Sequence, residues 1–271
     1  MSKTVPFIRW AGGKTWLIKH LGDIIGNLQY NNYFEPFLGG AAVCFALDFP
    51  NRAYLSDTNE DLIDTYKAIK TNPLGIIEFL DAFENTEERY YQIRAMRPLG
   101  AMQRAARFIY LNQTSYNGLY RVNRHGEYNV PYGFRENWVY DTTRILDASK
   151  KLQKATLSCG DFAANKYNIK RGDLIFLDPP YTVSHNDNGF IEYNRKLFSL
   201  QDQQRLSKYI DYIKKKGAFY ILTNAAHQTI SEIFDKGDKL IKLDRYSLIG
   251  GKCSKREKTT EFVFTNINGE G

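Results

Sequence analysis

The sequence predicts a mixed α/β fold, in which a sheet of mostly parallel strands is interrupted by a mainly helical insertion. Short apolar strands alternate with amphipathic helices near the N-terminus and again after residue 155. The run Leu174-Ile175-Phe176-Leu177 is continuously apolar, which is typical of a parallel strand buried on both faces. Between these parts, residues 73–112 follow a helical pattern. Together these observations predict a Rossmann-like sheet with an inserted domain.

A βαβα unit is predicted in the N-terminal part of the chain. The apolar run Tyr33–Phe37 leads into Gly39-Gly40 and then into a short apolar helix, which is the pattern of strand, glycine turn and helix. A second short strand at residues 52–55 ends at Ser56-Asp57. A helix is predicted to follow, and its buried face would carry Leu62, Ile63, Tyr66 and Ile69.

The rest of the chain is predicted to divide into the insertion and the second part of the sheet. The helical pattern after Pro73 is broken near residues 98–100, and residues 120–130 alternate as the two arms of a hairpin would. The later elements are strands at 155–158, 174–177, 218–222 and 261–265 and a helix near 201–214.

The composition bounds the class of protein. With 271 residues and 43% hydrophobic content, the chain can bury a large core. No apolar run approaches the roughly 20 residues that span a bilayer, so we expect a cytoplasmic protein without a membrane segment. Three scattered cysteines are too few for a disulfide framework or a zinc ribbon, and we predict no metal site. We also expect a monomer.

The positive charge is concentrated in the insertion. The net charge of the chain is +7, and the stretch from Arg89 to Arg135 contains eight arginines, no lysine and a single acid, Glu127. This stretch therefore accounts for the whole net charge. Because it has so little local acid to pair with, we interpret it as a surface that faces phosphate groups. The alternative is a solvated helical face.

The sharpest motif is Asp178-Pro179-Pro180-Tyr181, which directly follows the apolar run that ends at Leu177. Open α/β sheets bind their ligands at the carboxyl ends of such strands. An exocyclic amine such as adenine N6 is a poor nucleophile, and acceptors for both of its hydrogens would localise the lone pair. Asp178 and the carbonyl of Pro179 are the predicted acceptors, and Tyr181 offers a ring on which a base can stack. The alternative is a proline turn that only closes a strand.

A second site is predicted at the glycine turn after the first strand. Glycines there let a ligand approach the backbone, and Asp57, at the end of the next strand, can accept hydrogen bonds from ribose hydroxyls. The dinucleotide pattern Gly-x-Gly-x-x-Gly is absent, because no glycine follows Gly39-Gly40 before Leu47. An enzyme that uses a nicotinamide cofactor is therefore disfavoured.

The segment Arg9-Trp10-Ala11-Gly12-Gly13-Lys14-Thr15 ends like a phosphate-binding loop, but its spacing is wrong. The Walker pattern needs a glycine five positions before Gly13, where Ile8 stands. Lys14 could instead pair with the carboxylate of a bound amino acid, while Trp10 supplies a flat apolar wall. A surface lysine and a core tryptophan are the alternative.

A fourth group of residues suits contact with nucleic acid. Asn117, Arg121, Asn123 and Arg124 are of the types that read adenine and guanine edges, and Tyr116 or Leu119 could wedge between bases. The alternative is an aromatic hairpin packed on its own domain, as Val122 and Tyr128 are expected to be.

Taken in order along the chain, these motifs resemble the Dam-type DNA adenine methyltransferases. The resemblance covers nearly the whole chain and rests on Trp10–Lys14, Phe34–Gly40, Ser56-Asp57, Tyr116–Leu119, Pro131–Gly133 and Asp178–Tyr181. It implies a class I methyltransferase sheet in residues 1–58 and 155–271. It also implies a DNA-recognition insertion in residues 59–154, with a hairpin near 118–132.

The resemblance implies three sets of site residues. The catalytic set is Asp178, Pro179, Pro180 and Tyr181. The set for S-adenosylmethionine is Trp10, Ala11, Gly12, Lys14, Glu35, Pro36, Phe37, Gly39, Asp57, Thr58, Asp161, Phe162 and Asp178. The set for double-stranded DNA is Arg9, Tyr116, Asn117, Leu119, Arg121, Asn123, Arg124, Pro131 and Arg135.

Two departures from the family pattern leave the recognition sequence open. Members that read GATC continue after Pro131-Tyr132-Gly133 with Arg and Tyr, whereas this chain has Phe134-Arg135. The run His185–Phe190 resembles relatives from restriction systems that modify other adenine sites. We expect GATC or a related adenine-containing site, and a cognate restriction endonuclease that shares it.

The predicted reaction is a direct methyl transfer to N6 of an adenine flipped out of duplex DNA. Methylation at cytosine C5 is disfavoured, because it needs a thiolate that typically follows a proline, and no proline precedes a cysteine here. Two alternatives remain at this point. Cytosine-N4 methylation uses similar chemistry but more often has Ser in place of Asp178, and a non-catalytic DNA-binding protein would use the insertion alone.

Overall fold

The computed structural model describes residues 4–134, 140–182, 198–246 and 258–267. The chain forms two compact units. The first unit comprises Met1–Thr15 and Leu38–Phe162, and the second comprises Trp16–Phe37 and Ala163–Gly271. The predicted division into a catalytic domain and a recognition insertion is a different grouping of the chain and stays a prediction.

Seven strands lie within the described residues, two in the first unit and five in the second. They are β1 (Tyr33–Glu35), β2 (Ala53–Asp57), β3 (Ala155–Cys159), β4 (Leu174–Leu177), β5 (Phe219–Ala225), β6 (Lys239–Tyr246) and β7 (Lys258–Thr265). In the first unit β2 pairs parallel with β3. In the second unit the order is β1-β4-β5-β7-β6. There β1, β4 and β5 are parallel and β7 is antiparallel to both neighbours.

Nine α-helices lie within the described residues. They are α1 (Ile18–Ile25), α2 (Ala42–Ala46), α3 (Glu60–Thr71), α4 (Pro73–Asp81), α5 (Glu87–Ala95), α6 (Ala101–Thr114), α7 (Thr142–Leu152), α8 (Leu200–Lys215) and α9 (Gln228–Phe234). Strands and helices alternate along much of the chain, but the five helices α3 to α7 follow one another between β2 and β3, and α4 to α6 are termed the helical block. The predicted mixed α/β class is therefore confirmed.

The core of the first unit forms around α3. The Asn59 side chain accepts a hydrogen bond from the Leu62 N–H at 2.9 Å and so caps the start of this helix. The four apolar residues predicted for its buried face, Leu62, Ile63, Tyr66 and Ile69, are all fully buried. The helical period read from the sequence therefore identified the packed face.

The helical block differs from the prediction in one respect. The predicted break near residues 98–100 is confirmed, because α5 ends at Ala95 and α6 begins at Ala101. A second break separates α4 from α5 and was not predicted. Its signal is Thr86, whose side chain accepts a hydrogen bond from the Arg89 N–H at 3.2 Å and caps α5.

The chain after α6 reverses direction in a hairpin loop. Val122 bridges to Tyr128, and Ser115 bridges to Tyr132, both in antiparallel fashion. The N–H of Asn123 donates to the carbonyl of Glu127 at 2.8 Å across the turn. The loop therefore has hairpin pairing over residues 115–132 but no extended strand.

Two differences in the second unit have physical causes. Strand β5 continues to Ala225, three residues beyond the predicted end at Leu222. The prediction stopped there because Thr223 and Asn224 are polar. Both are nevertheless fully buried, and their side chains are hydrogen-bonded. Strand β6 was not predicted. It lies at the edge of the sheet, and its side chains at residues 239–245 are exposed or half-buried, so its apolar signal is weak.

No helix in the described ranges is long and apolar enough to cross a membrane.

Gly133 lies where the hairpin loop ends, and a side chain there is predicted to lower the stability of the protein. A Cβ at Gly133 would lie 2.6 Å from the carbonyl oxygen of Ser115 and 2.9 Å from that of Thr114. Because both obstacles are backbone atoms, Gly133→Ala should lower the free energy of unfolding by about 1–3 kcal/mol. Urea titration measures this change.

Gly22→Ala is the matched control, because Gly22 lies within α1 and a Cβ there meets nothing within 4 Å. This variant should raise stability by about 0.5–1 kcal/mol. Equal stabilities of the two variants would contradict the backbone clash at Gly133.

Candidate functional site

Asp57 ends β2 in the first unit, and the surrounding backbone holds its carboxylate. Oδ2 accepts a hydrogen bond from the Gly39 N–H at 2.9 Å, and Oδ1 accepts one from the Asn59 N–H at 3.0 Å. Burial raises the pKa of Asp57 above its ordinary value, while the N–H donors of Asn59, Gly39 and Thr58 oppose that rise. A carboxylate has about four lone-pair sites, so these three N–H donors leave capacity to accept a further hydrogen bond.

The glycine turn is shaped by Trp10. Gly39 has a φ of +46°, and a Cβ there would lie 2.7 Å from Cδ1 of Trp10. A Cβ at Gly40 would lie 3.2 Å from Cβ of the same tryptophan. The Tyr66 hydroxyl donates to the Gly39 carbonyl at 2.9 Å from the buried side of the turn. Glycine is therefore required here by the tryptophan, which the sequence argument about ligand approach did not foresee.

Trp10 also packs against the aromatic residues of the hairpin loop and α6. Its ring is stacked on Tyr120, with centroids 5.6 Å apart and planes 29° from parallel, and on Phe108 at 6.5 Å and 30°. The Tyr120 hydroxyl donates to Asp61 of α3 at 2.9 Å. A residue predicted to contact the cofactor and a residue of the predicted DNA-reading loop are thus in direct contact.

Asn112 is a second link between the same two segments. Its side chain is fully buried at the end of α6. Its Oδ1 accepts from the Arg9 N–H at 2.8 Å, and its Nδ2 donates to the Arg9 carbonyl at 2.7 Å and to the Gly118 carbonyl at 3.3 Å. The backbone of Arg9 is therefore connected, through the hydrogen bonds of Asn112, to the loop that carries Tyr116 and Leu119.

The other residues predicted for the cofactor in the first unit divide by exposure. Lys14 is buried, and its Nζ donates to the Gly12 carbonyl at 2.8 Å. Phe162 is also buried. The exposed residues are Ala11, Gly12, Thr58 and Asp161.

The predicted DNA-contacting residues at the start of the loop are presented to solvent. Tyr116 is 55% exposed, Leu119 is 36% exposed, and Asn117 has a φ of +55°. The Tyr116 N–H donates to the carbonyl of the exposed Pro131 at 2.9 Å. The buried Tyr128 hydroxyl bonds to Ser115 Oγ at 3.0 Å. The loop thus has a fixed buried side and an exposed apolar surface at its start.

The polar residues at the tip of the loop are partly engaged with each other. Arg121 Nε donates to Asn129 Oδ1 at 2.8 Å. Asn123 Oδ1 accepts from the N–H of Glu127 at 3.0 Å and shapes the turn. Arg124 is exposed. Arg135 and His185–Phe190 lie outside the described residues.

Several arginines of the helical block bond to backbone carbonyls. Arg107 donates to the carbonyls of Ile93 and Arg94 at 3.0 and 2.6 Å, and Arg94 donates to the carbonyl of Val130 at 3.1 Å. Arg97 donates to the carbonyls of Ala95 and Met96, both at 3.1 Å, and also pairs with Glu127. Because a carbonyl is neutral, the three bonds of Arg107 and Arg94 fix these side chains without cancelling their charge.

Asp178 in the second unit follows β4 and is held by the neighbouring strand. The hydroxyl of Thr223, on β5, donates to Asp178 Oδ1 at 2.8 Å. Thr223 is fully buried, whereas Asp178 is half-buried. Pro179 is buried and Pro180 is half-buried, so the turn is packed on the sheet. The carboxylate is therefore fixed in rotamer and partly accessible.

Tyr181 is anchored through its hydroxyl. This hydroxyl donates to Oε2 of Glu261, a carboxylate only 1% exposed on β7, and Nε of Arg245 on β6 donates to the other oxygen, Oε1. Burial raises the pKa of Tyr181 well above its ordinary value, and the charges of Glu261 and Asp178 add to the rise. The phenol therefore stays protonated.

The remaining predicted residues of the second unit lie at the end of β1 and directly after it. Glu35 is buried, and its Oε2 accepts from the Tyr33 hydroxyl at 2.7 Å. Pro36 is buried as well. The Phe37 ring meets Phe198 edge-on, with centroids 5.6 Å apart. Glu35 thus has a partner within its own strand.

Sequence reasoning missed Thr223, Glu261, Arg245 and Asn112. Thr223 and Asn112 share one signal, which is a polar residue that directly follows an apolar run, Phe219–Leu222 and Phe108–Leu111 respectively. Glu261 gives no such signal, because it stands at the predicted start of its strand. Its partners are distant in the sequence, so only the fold reveals them.

Each unit therefore presents a carboxylate held by hydrogen bonds and an aromatic side chain. The first unit places a fixed carboxylate, Asp57, after β2 and an aromatic wall, Trp10, over the glycine turn. The second unit places a fixed, half-exposed carboxylate, Asp178, beside an anchored ring, Tyr181. Among the residues that the structure covers, no cluster of His, Cys, Asp and Glu could hold a metal ion.

Comparison with known proteins identifies relatives along the whole chain. A protein from Lactococcus lactis subsp. cremoris named "Type II methyltransferase M1.LlaDCHI" is 34% identical over 96% of this chain and 95% of its own length. A Methanocaldococcus jannaschii protein, "Type II methyltransferase M.MjaIII", is 33% identical over 93% of this chain and 95% of its own. The "DNA adenine methylase" of Haemophilus influenzae is 29% identical over 95% and 92%.

A protein-family model also matches most of the sequence. The model described as "D12 class N6 adenine-specific DNA methyltransferase" matches residues 10–248. This span includes Trp10, the glycine turn, Asp57, the hairpin loop and Asp178–Tyr181. The chain belongs to the D12 class of N6 adenine-specific DNA methyltransferases.

Proposed function

We propose that this enzyme transfers a methyl group from S-adenosylmethionine to N6 of an adenine flipped out of duplex DNA. The observation that carries the proposal is the placement of Asp178. It follows a buried parallel strand, is half-exposed, and is fixed by the Thr223 hydroxyl at 2.8 Å. A catalytic acceptor needs this combination of access and fixed geometry.

Asp178 and the carbonyl of Pro179 accept the two hydrogens of the adenine amino group. This localises the nitrogen lone pair, which is otherwise delocalised into the ring. The lone pair would then form the new N–C bond as the bond between the methyl carbon and the donor sulfur breaks and leaves a neutral thioether, and one amino proton would leave toward Asp178. Tyr181 stacks on the base and keeps it in the plane in which both acceptors are reached.

The residues of the first unit are suited to hold the methyl donor. When bound, S-adenosylmethionine supplies an electrophilic methyl group on a sulfonium. The Asp57 carboxylate is held by the Gly39 N–H at 2.9 Å and by the Asn59 N–H at 3.0 Å, and it keeps capacity to accept a hydrogen bond from a ribose hydroxyl. Trp10 offers an apolar face, and Lys14 offers a positive charge toward a carboxylate.

The loop from Tyr116 to Pro131 and the arginines of the helical block bind the duplex. The exposed Tyr116 and Leu119 are suited to wedge between base steps, and Arg121 and Arg124 to read base edges. The arginines that bond to carbonyls keep their charge for phosphates. Family membership disfavours the cytosine-N4 and the non-catalytic alternatives.

We extend the proposal to the target and the partner. The modified adenine lies in GATC or a related site, and a restriction endonuclease shares that site. The names of the relatives from Lactococcus lactis and Methanocaldococcus jannaschii, both called Type II methyltransferases, support the second point. Sequencing the methylated DNA of cells that express the enzyme identifies the site directly.

Asp178→Ala should abolish methyl transfer while leaving DNA binding largely intact. Loss of a fixed acceptor that acts on the reacting group should lower kcat by roughly 100-fold or more. Transfer of tritiated methyl groups to DNA measures kcat, and a gel-shift assay measures binding. Asp48→Ala, at a carboxylate 86% exposed, is the control. Full turnover of the Asp178 variant would refute its catalytic role.

Asp57→Ala should weaken S-adenosylmethionine binding by roughly 10-fold, because hydrogen bonds to a charged acceptor are lost. Equilibrium dialysis with the labelled donor measures the Kd. Asp235→Ala is the matched control, since Asp235 is exposed and its carboxylate also accepts a backbone N–H, that of Gly237. An unchanged Kd for the Asp57 variant would remove Asp57 from the cofactor site.

Tyr116→Ala should weaken duplex binding by roughly 10-fold, as expected for the loss of one aromatic stacking contact. Tyr167→Ala is the matched control, because both tyrosines are exposed, at 55% and 79%, and both lie in short 3-10 helices. Fluorescence anisotropy with labelled duplex measures both. If the two variants bind alike, the hairpin loop does not insert Tyr116 into DNA.

A further inference from the structure

We propose that Glu261, together with Arg245, is a positioning residue that fixes the ring of Tyr181 for the target adenine. The inference rests on the proposed function, in which Tyr181 stacks on the base. It gives a role in the reaction to two residues on the antiparallel strands β6 and β7, whereas the proposed catalytic residues all lie in the turn after β4.

The geometry joins three elements of the second unit. Glu261 lies on β7, opposite Ala225 of β5 and Leu243 of β6. Its two carboxylate oxygens are divided between two donors, the Tyr181 hydroxyl and Nε of Arg245. The Tyr181 side chain is therefore held at both ends, by its backbone in the proline turn and by its hydroxyl at β7.

Burial makes this arrangement specific. Glu261 is 1% exposed, and a carboxylate removed from water needs donors for its oxygens. The guanidinium of Arg245, 26% exposed, supplies the compensating charge, and Tyr181 supplies the remaining donor. An apolar residue on β7 would fill the core at no greater cost, because buried ion pairs seldom stabilise more than well-packed hydrocarbon does. Stability alone therefore does not account for a glutamate here.

The anchor has two consequences for the reaction. A tyrosine ring rotates about two side-chain bonds, and a bonded hydroxyl restricts both, so the stacking plane is set before the base arrives. The hydroxyl hydrogen is also committed to Glu261. It therefore does not compete with the adenine amino hydrogens for the acceptors Asp178 and Pro179, and Tyr181 offers the base only its ring.

A double-mutant cycle tests the inference. The variants are Tyr181→Phe, which keeps the ring and removes the hydroxyl, Glu261→Gln, and the double variant. A looser ring should lower kcat by roughly 10-fold in each single variant. The KM for S-adenosylmethionine should not change. Because both changes break one link, the double variant should be no slower than either single variant.

A spectroscopic readout separates positioning from mere stability. With 2-aminopurine in place of the target adenine, emission from the saturated complex should be higher in both single variants, because stacking on a fixed ring quenches the base. Melting temperatures are measured alongside. Glu232→Gln, at an exposed helix position, is the matched control and should leave kcat and emission unchanged.

The possible failures are distinguishable with a fourth variant, Tyr181→Ala. If Tyr181→Ala retains full kcat, the proposed role of Tyr181 in the reaction is wrong. If Tyr181→Ala loses activity but Tyr181→Phe and Glu261→Gln keep wild-type kcat, only the positioning inference is overturned. Additive losses in the double variant overturn it too. Should Glu261→Gln fail to fold, Tyr181→Phe decides, and unchanged kcat and emission in that variant overturn the inference.

Discussion

A carboxylate that leaves water must be given hydrogen-bond donors by the fold, and this constraint organises the candidate functional residues of each unit. Asp57 takes its donors from backbone N–H groups, one of which is that of Gly39. Asp178 takes one from the Thr223 hydroxyl on the adjacent strand. Glu261 is the most buried of the three carboxylates and takes both of its donors from side chains. In each case the donor fixes the carboxylate, so the geometry exists before any ligand arrives.

Trp10 has a comparable organising role in the first unit. Its ring occupies the space that a side chain at Gly39 would need, and it stacks on Tyr120 of the hairpin loop. Asn112 fastens the same N-terminal segment to the loop through backbone groups of Arg9 and Gly118. The segment proposed for the methyl donor and the loop proposed for DNA thus form one packed structure.

The arginine-rich stretch shows how one residue type can serve folding and binding together. Arg94 and Arg107 hold carbonyls of α5 and the hairpin loop, which a lysine with its single point charge could not bridge in the same planar way. These hydrogen bonds use N–H groups of the two guanidinium groups but do not neutralise their positive charge. Arg94 and Arg107 therefore keep their positive charge after folding, whereas Arg97 and Arg104 pair with the carboxylates of Glu127 and Asp64.

The sequence alone determined the class of fold, the buried face of α3, the strand at Leu174–Leu177 and the motifs that predicted an adenine methyltransferase, because these depend on local periodicity and on residues adjacent in the chain. The tertiary structure alone decided which side chains hold those motifs in place. Thr223 reaches Asp178 across 45 residues, and Glu261 reaches Tyr181 across 80. Such pairs are set by which strands are neighbours in the sheet, and no local pattern encodes that order.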